Sequence, residues 1–124
     1  MKKTDLMLCI FSCVISASVF ASDMQTEIDH LLAFLENSEC QYERNGKIHT
    51  GKDTLDHVKK KYKYFKNKID STEKFIEYSA TKSTLSGKYY MVLCKDSPKV
   101  KTQDWLLQEL KNYRSKDSLV LMDI

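Results

Sequence analysis

His57 and Lys61 are the two side chains whose types and spacing could do chemistry together. They stand four residues apart in a segment of helical periodicity, so one turn of helix brings them to the same edge. Ser86, from the Ser-rich segment 83–87, could complete a small polar site that holds an anion, helped by backbone N–H groups of that loop. The simpler interpretation, ordinary neighbours on a helix beside a plain turn, is the one that the pattern favours.

Recognised catalytic arrangements are missing from the sequence. It has no Gly-x-Ser-x-Gly elbow, no glycine-rich phosphate loop and no His-Glu-x-x-His pair, and its three histidines fall on different predicted elements. A hydrolase would need a nucleophile, a nearby base and oxyanion donors in combination. We therefore predict a protein that is not an enzyme and that uses neither a metal nor a cofactor.

Residues 1–21 have the pattern of a cleavable secretory signal. Lys2 and Lys3 form a positive start, an apolar run follows, and Ala21 ends a small-residue cleavage site. The run is shorter than the ~20 apolar residues of a membrane helix and is interrupted by serines, so we predict no stable membrane anchor. We expect export across the inner membrane and one mature domain over residues 22–124.

The charge pattern excludes one class of partner. The formal net charge is only +3, with both signs intermixed along the chain. A nucleic-acid binder normally concentrates basic residues on one surface, so we predict no nucleic-acid partner. The lysines of segment 59–68 surround their helix instead of forming a stripe, which is typical of a solvated face more than of a membrane surface.

Two of the four cysteines, Cys9 and Cys13, lie in the predicted signal, so the mature chain keeps Cys40 and Cys94. In an oxidising compartment two cysteines have one possible pairing, and we predict a disulfide between them. Two buried free thiols, or a zinc pair that lacks further ligands, are the alternatives.

The candidate residues depend on a small set of predicted elements. Apolar periodicity predicts four helices, over about residues 24–37, 53–69, 71–78 and 103–113. Asn45-Gly46 between two short extended runs predicts a hairpin that pairs Arg44 with Lys47. Segment 88–94 has the β-branched and aromatic content of a buried strand. The tail 119–122 is interpreted as a short extra strand or a docking peptide.

Together these elements predict a small single α+β domain. Its antiparallel three-stranded sheet is packed by about four helices, and the disulfide joins the hairpin to the third strand. Tyr64 and Trp105 project outside the predicted core, and exposed tyrosine and tryptophan are typical interface anchors. They are therefore candidates for a dimer or partner interface.

Four motifs carry a resemblance to known proteins. They are Cys40-x-Tyr-x-Arg44-Asn45-Gly, His57-Val-x-x-Lys61, Ser-Thr-Glu-x-Phe-Ile at 71–76 and Ser-x-x-Ser86-Gly-x-Tyr at 83–89. In this order, behind a signal peptide, they resemble the YfeK-like family of bacterial periplasmic proteins. That family has no established catalytic residues, so the resemblance implies a periplasmic location and no activity.

The chain also resembles the periplasmic immunity proteins of type VI secretion systems. The relevant kind is cognate to a VgrG spike that carries a lysozyme-like, peptidoglycan-degrading extension. This resemblance implies a small homodimer that binds the toxin domain and blocks its cleft. Glycoside hydrolases work with carboxylates in an open groove, which basic side chains could occupy. The candidate toxin-binding residues are Arg44, Asn45 and Lys47 at the hairpin tip, and Lys88 beside Gly87.

Two hypotheses of different classes follow. The leading one is an immunity protein that inhibits a cell-wall hydrolase and protects the cell from a sibling's toxin. The other is a housekeeping envelope protein that binds a small anionic or cell-wall ligand at the loop Ser83–Gly87.

Overall fold

A computed structural model describes the backbone of residues 23–122 and the side chains of residues 23–116. The predicted signal 1–21 lies outside the described residues. The elements are α1 (Met24–Asn37), β1 (Gln41–Arg44), β2 (Lys47–His49), α2 (Gly51–Tyr64), a 3₁₀ turn (Lys66–Lys68), α3 (Thr72–Ser79), β3 (Met91–Leu93), β4 (Val100–Lys101) and α4 (Thr102–Met122). The α+β class, with four helices and an antiparallel sheet, is confirmed.

Side-chain caps explain where the first three long helices begin. Asp23 Oδ1 accepts from the Thr26 amide at 2.7 Å, Thr50 Oγ1 from the Asp53 amide at 3.1 Å, and Ser71 Oγ from the Lys74 amide at 3.1 Å. Each bond satisfies an amide that has no partner inside its helix. Because Thr50 is the cap of α2, that helix begins at Gly51, two residues earlier than predicted.

The sheet has four strands in the order β2-β1-β3-β4, all antiparallel, so the prediction of three strands is wrong. The additional strand β4 is only two residues long, and Val100 pairs with Val92 on β3. Two residues cannot show the alternating pattern by which a strand is recognised in a sequence. The hairpin prediction is confirmed, with Arg44 opposite Lys47.

One apolar core lies between the helices and one face of the sheet. Its side chains are Ile28, Leu31, Leu35, Tyr42, Leu55, Val58, Ile69, Phe75, Ile76, Ala80, Val92, Leu106 and Leu110. The predicted apolar side of the second helix therefore packs into the core. The helix itself ends at Tyr64, earlier than the predicted residue 69, and the 3₁₀ turn after it places Ile69 in the core. The Tyr42 hydroxyl donates to the Leu35 carbonyl at 2.6 Å, which joins the sheet to the end of α1.

Two long-range links hold the ends of the fold. The predicted disulfide between Cys40 and Cys94 is confirmed, and it joins the start of β1 to the end of β3. Arg114 on α4 donates to both carboxylate oxygens of Glu27 on α1, at 2.8 and 2.9 Å, and to Glu73 on α3 at 2.7 Å. These bonds fix α4 against two other helices.

The tail does not form a strand. The backbone of α4 continues as a helix to Met122, so the predicted end of this helix at Tyr113 is nine residues too early. Within the part of the chain that the structure describes, no helix is long and apolar enough to cross a bilayer.

Candidate functional site

A basic groove forms where the end of β1, the second half of α2 and the loop 83–87 meet. Its volume is about 430 Å³, within the range of small-ligand sites. We call it the Arg44–Lys61 groove; its lining residues are Arg44, Asn45, His57, Lys60, Lys61, Tyr64, Phe65, Ser83, Thr84, Leu85 and Tyr90. The predicted polar pair on α2 thus shares one site with Arg44 and Asn45 of the hairpin tip, although the two sets were predicted for different roles.

The hairpin turn sets the position of Arg44. Asn45 and Gly46 have φ values of 53° and 80°, the left-handed conformations that a tight two-residue turn requires. With this register, Arg44 and the buried Tyr42 lie on the same face of β1, because side chains alternate along a strand. That face is the one covered by the helices, so Arg44 is directed toward α2.

The loop 83–87 is attached to the hairpin tip by side chains. Asn45 Nδ2 donates to Ser83 Oγ at 3.3 Å, and Ser86 Oγ donates to Asn45 Oδ1 at 2.6 Å. The amides of Leu85, Ser86 and Lys88 donate to serine hydroxyls within the loop, and the Gly87 amide donates to the Ser83 carbonyl. Because these N–H groups are engaged inside the loop, an anion in the groove would be bound by side chains.

His57, Tyr90 and Lys61 form a chain of hydrogen bonds in the groove. Lys61 Nζ donates to the Tyr90 hydroxyl at 3.2 Å and to the Lys82 carbonyl at 2.7 Å, and His57 Nε2 lies 3.0 Å from the same hydroxyl. Since Lys61 can only donate, the tyrosine oxygen accepts from it and the tyrosine proton is available to His57. A hydrogen bond from the Tyr90 hydroxyl to His57 would need a neutral ring whose Nε2 is unprotonated.

The electrostatics of the groove agree with that requirement. Burial, followed by the charges of Arg44 and Lys61, lowers the pKa of His57 to about 4, so the ring is neutral at pH 7. Burial and the charge of Arg44 also lower the pKa of Lys61 from its ordinary value. Burial raises the pKa of Tyr90, which keeps its proton. The positive charge of the groove therefore comes from Arg44, Lys60 and Lys61.

These cations form no ion pair in the described part of the chain. Within residues 23–116, no carboxylate oxygen lies within 4.0 Å of the side-chain nitrogens of Arg44, Lys60 or Lys61. The carboxylate next in sequence, Glu43, is on the opposite face of β1 and binds Lys99 at 3.0 Å. The groove thus brings together three cations that form no ion pair in the described part of the chain.

The rim of the groove carries exposed apolar side chains. Tyr64 is 80% exposed and Leu85, at the tip of the loop, is 96% exposed. Large apolar side chains that flank a charged depression are typical of surfaces that bind another macromolecule.

Comparison with known proteins assigns the chain to a family. A model of DUF5329, described as a family of unknown function, matches residues 22–114. The chain belongs to the DUF5329 family. This DUF5329 chain is also 32% identical, over 60 residues, to the uncharacterized protein YfeK of Salmonella typhimurium (strain LT2), which supports the predicted resemblance to YfeK-like proteins. The match spans 48% of the chain and half the length of YfeK. No solved structure matches the chain significantly.

The other predicted site residues of the DUF5329 chain lie outside the groove. Lys47 is exposed beside the hairpin turn, and Lys88 is exposed where the loop 83–87 ends. Trp105 is half-buried on α4, where its ring packs against those of Phe34 and Tyr42 with centroids 4.6 and 5.9 Å away. Among the described residues, no group of three His, Cys, Asp or Glu side chains could hold a metal ion.

Several groove residues of the DUF5329 chain were not predicted individually from the sequence. Tyr90 is in the segment predicted as a buried strand, and nothing in its neighbours indicates that its hydroxyl meets His57 and Lys61. Lys60 is one lysine of a basic run, and Leu85 one residue of a polar loop. Only the packing of α2 against the hairpin and the loop distinguishes them.

We predict that His57 makes the stability of the DUF5329 domain depend on pH. Its pKa is about 4 when folded and close to 6.5 when unfolded, so the unfolded chain binds the proton more tightly. As the pH falls from 7 to 4, the free energy of unfolding should decrease by roughly 1 to 2 kcal/mol more than in His57→Gln, after allowance for solvent screening. Urea unfolding at several pH values measures this difference, and equal pH dependence in both proteins would contradict it.

Proposed function

We propose that this protein is a periplasmic immunity protein that binds and inhibits a peptidoglycan-degrading effector of a type VI secretion system. It would protect the producing cell from the toxin of its siblings without catalysing a reaction. The observation that carries the proposal is the Arg44–Lys61 groove, whose cations have no carboxylate partner in the described part of the chain. The resemblance to type VI immunity proteins supports the same function.

The charge of the groove is complementary to the catalytic cleft of the proposed target. Glycoside hydrolases generally cleave sugar chains with a pair of Asp or Glu side chains in an open cleft. A positive surface that meets such a cleft would increase the rate of association and disfavour partners without the acidic cleft. The exposed side chains of Tyr64 and Leu85 would add apolar area next to the charged contact.

Export and assembly are part of this proposal. The predicted signal 1–21 would deliver the chain to the compartment where a cell-wall hydrolase acts, and the disulfide between Cys40 and Cys94 is the kind of cross-link that persists there. The resemblance further implies a homodimer. Of the two candidate dimer or interface residues, Tyr64 lies on the rim of the groove, where we assign it to the effector contact, and Trp105 packs partly against the core.

Protection of living cells tests the proposed function. The toxin to be tested is a lysozyme-like extension of a VgrG spike, exported to the periplasm of a laboratory bacterium. We expect cells that also produce the full chain to survive, and cells that produce a variant without residues 1–21 to lyse. Lysis despite a normal periplasmic level of the full-length product would contradict the proposal.

A small ligand is the second candidate partner for the groove. Its volume is sufficient for a cell-wall fragment, and the hydrogen-bonded chain of His57, Tyr90 and Lys61 provides polar groups inside it. A housekeeping envelope protein would use these side chains to bind an anionic muropeptide beside the loop Ser83–Gly87. If muropeptides raise the melting temperature of the wild-type protein but not of Lys61→Met, and the effector does not bind, this second function replaces the first.

A further inference from the structure

Lys61 is held in one direction by the groove. Its ammonium group donates to the Lys82 carbonyl and to the Tyr90 hydroxyl, and it lies 5.1 Å from the centre of the Tyr90 ring. An ammonium group has three N–H donors, so one donor is left for a ligand. Because the side chain is already ordered, binding through that donor costs little additional conformational entropy.

Arg44 provides the second cation, from the facing strand. It lines the same groove as His57 and Lys61, and its charge lowers the pKa of both groups. Arg114 differs from Arg44, because its guanidinium binds Glu27 and Glu73 and so stabilises the packing of the helices. Within residues 23–116, no carboxylate lies within 4.0 Å of the Arg44 guanidinium, whose planar donors match the geometry of a carboxylate.

We infer that Arg44 and Lys61 form a carboxylate-binding site that receives one acidic side chain of the bound hydrolase. This inference rests on the proposed function and names the contact through which it operates. Two like charges close together repel each other, and a carboxylate between them removes that repulsion while it forms charge-assisted hydrogen bonds. Neutral His57 and Tyr90 form the wall of the site, so they bring no negative charge that would compete.

The rim favours an acidic side chain of a protein over a free anion. Tyr64 and Leu85 remain largely in water in this chain, and a small anion in the groove would leave them so. A protein loop that carries the carboxylate would cover both of them, which adds apolar burial to the ionic contact. The occupant is therefore a carboxylate with apolar neighbours, presented from the surface or cleft of the partner.

Calorimetric titration of the mature protein with the lysozyme-like effector domain tests the site. Truncating one member of a desolvated charge pair weakens binding strongly, so we expect Lys61→Met and Arg44→Met each to raise the Kd by roughly 30-fold or more. Lys61→Arg keeps the charge and should restore most of the affinity. Lys59→Met and Lys63→Met remove the same charge from exposed positions of α2 outside the groove, and they should change the Kd by less than about threefold.

The partner's side of the contact is tested by replacing each cleft Asp or Glu with its amide. One of these amide substitutions should weaken binding as much as Lys61→Met does. The amide effector and the Lys61→Met protein together should lose no more binding free energy than either change alone. Wild-type affinity in both Lys61→Met and Arg44→Met, with circular dichroism showing folded protein, would overturn the inference and leave the proposed function standing. No binding by the wild-type protein would instead overturn the proposed function itself.

Citrate, as a free carboxylate, distinguishes the two sources of the ligand. We expect the wild-type protein to bind citrate weakly at most, and Lys61→Met and Arg44→Met to lose affinity for the effector. Tight citrate binding that depends on Lys61, combined with unchanged effector affinity in Lys61→Met, would assign the site to a small molecule and overturn the inference.

Discussion

Replacing Cys40 and Cys94 by serine should lower the free energy of unfolding of the mature protein by about 4 kcal/mol. The disulfide closes a loop with a sequence separation of 54, and cross-linking a loop of that length removes much of the conformational entropy of the unfolded chain. A domain of this size is typically stable by only ~5 to 15 kcal/mol, so the loss is a large fraction of the total. It is the largest single effect that we expect.

Urea unfolding of residues 22–124 measures this loss directly. The midpoint should fall in the double serine variant, and reduction of the wild-type protein by a thiol should give a similar decrease. Tyr42→Phe is a useful comparison, since it removes only the hydroxyl that donates to the Leu35 carbonyl and should cost ~1 to 2 kcal/mol. A decrease of less than 1 kcal/mol in the double serine variant would contradict the expected role of the cross-link.

Arg114→Met should have the second largest effect on stability, roughly 2 to 3 kcal/mol. Glu27 is only 5% exposed, and without Arg114 its carboxylate would keep a single hydrogen bond, from the Thr72 hydroxyl at 2.6 Å. An unpaired buried charge is strongly destabilising. Because the Arg114 side chain is itself 44% exposed, water would partly compensate, and we place the loss below the value for a fully buried pair.

The pH dependence identifies the cause of that loss. The hydrogen bonds from Arg114 lower the pKa of Glu27 from its ordinary value of 4.5. Their contribution to the stability of the folded protein is therefore present above that pH and is lost as the pH falls. The difference in unfolding free energy between wild type and Arg114→Met should therefore shrink below about pH 4. Lys111→Met, on the exposed side of α4, is the matched control and should change stability by less than about 0.5 kcal/mol. A difference that stays constant down to pH 2 would contradict the ionic explanation.

Local signals in the sequence predicted most of the fold. Asn45-Gly46 determines the hairpin and its register, because few other residues adopt the required left-handed conformations. Ser71 begins α3 as a side-chain cap. The disulfide could be predicted because only two cysteines remain in the mature chain after the predicted signal. Strand β4 could not be predicted, because its two residues exist as a strand only through pairing with β3.

The groove could be predicted only in fragments. His57 and Lys61 are neighbours on one helix, so their spacing alone brings them together. Arg44 joins them because the sheet packs against α2, and Ser83 is positioned by its contact with Asn45, 38 residues away in sequence. No local pattern encodes such contacts between distant segments. The same limit explains why the sequence assigned these residues to two different candidate sites, whereas the structure places them around one groove.

We propose that the protein inhibits a peptidoglycan hydrolase through the Arg44–Lys61 groove. The most direct test is the rate of peptidoglycan hydrolysis by the purified effector domain as mature protein is added. We expect the rate to fall to near zero at a molar ratio close to one. Lys61→Met should require a large excess to reach the same inhibition, whereas Lys59→Met should behave as wild type. Undiminished hydrolysis in the presence of excess wild-type protein would show that it is not an inhibitor of this hydrolase.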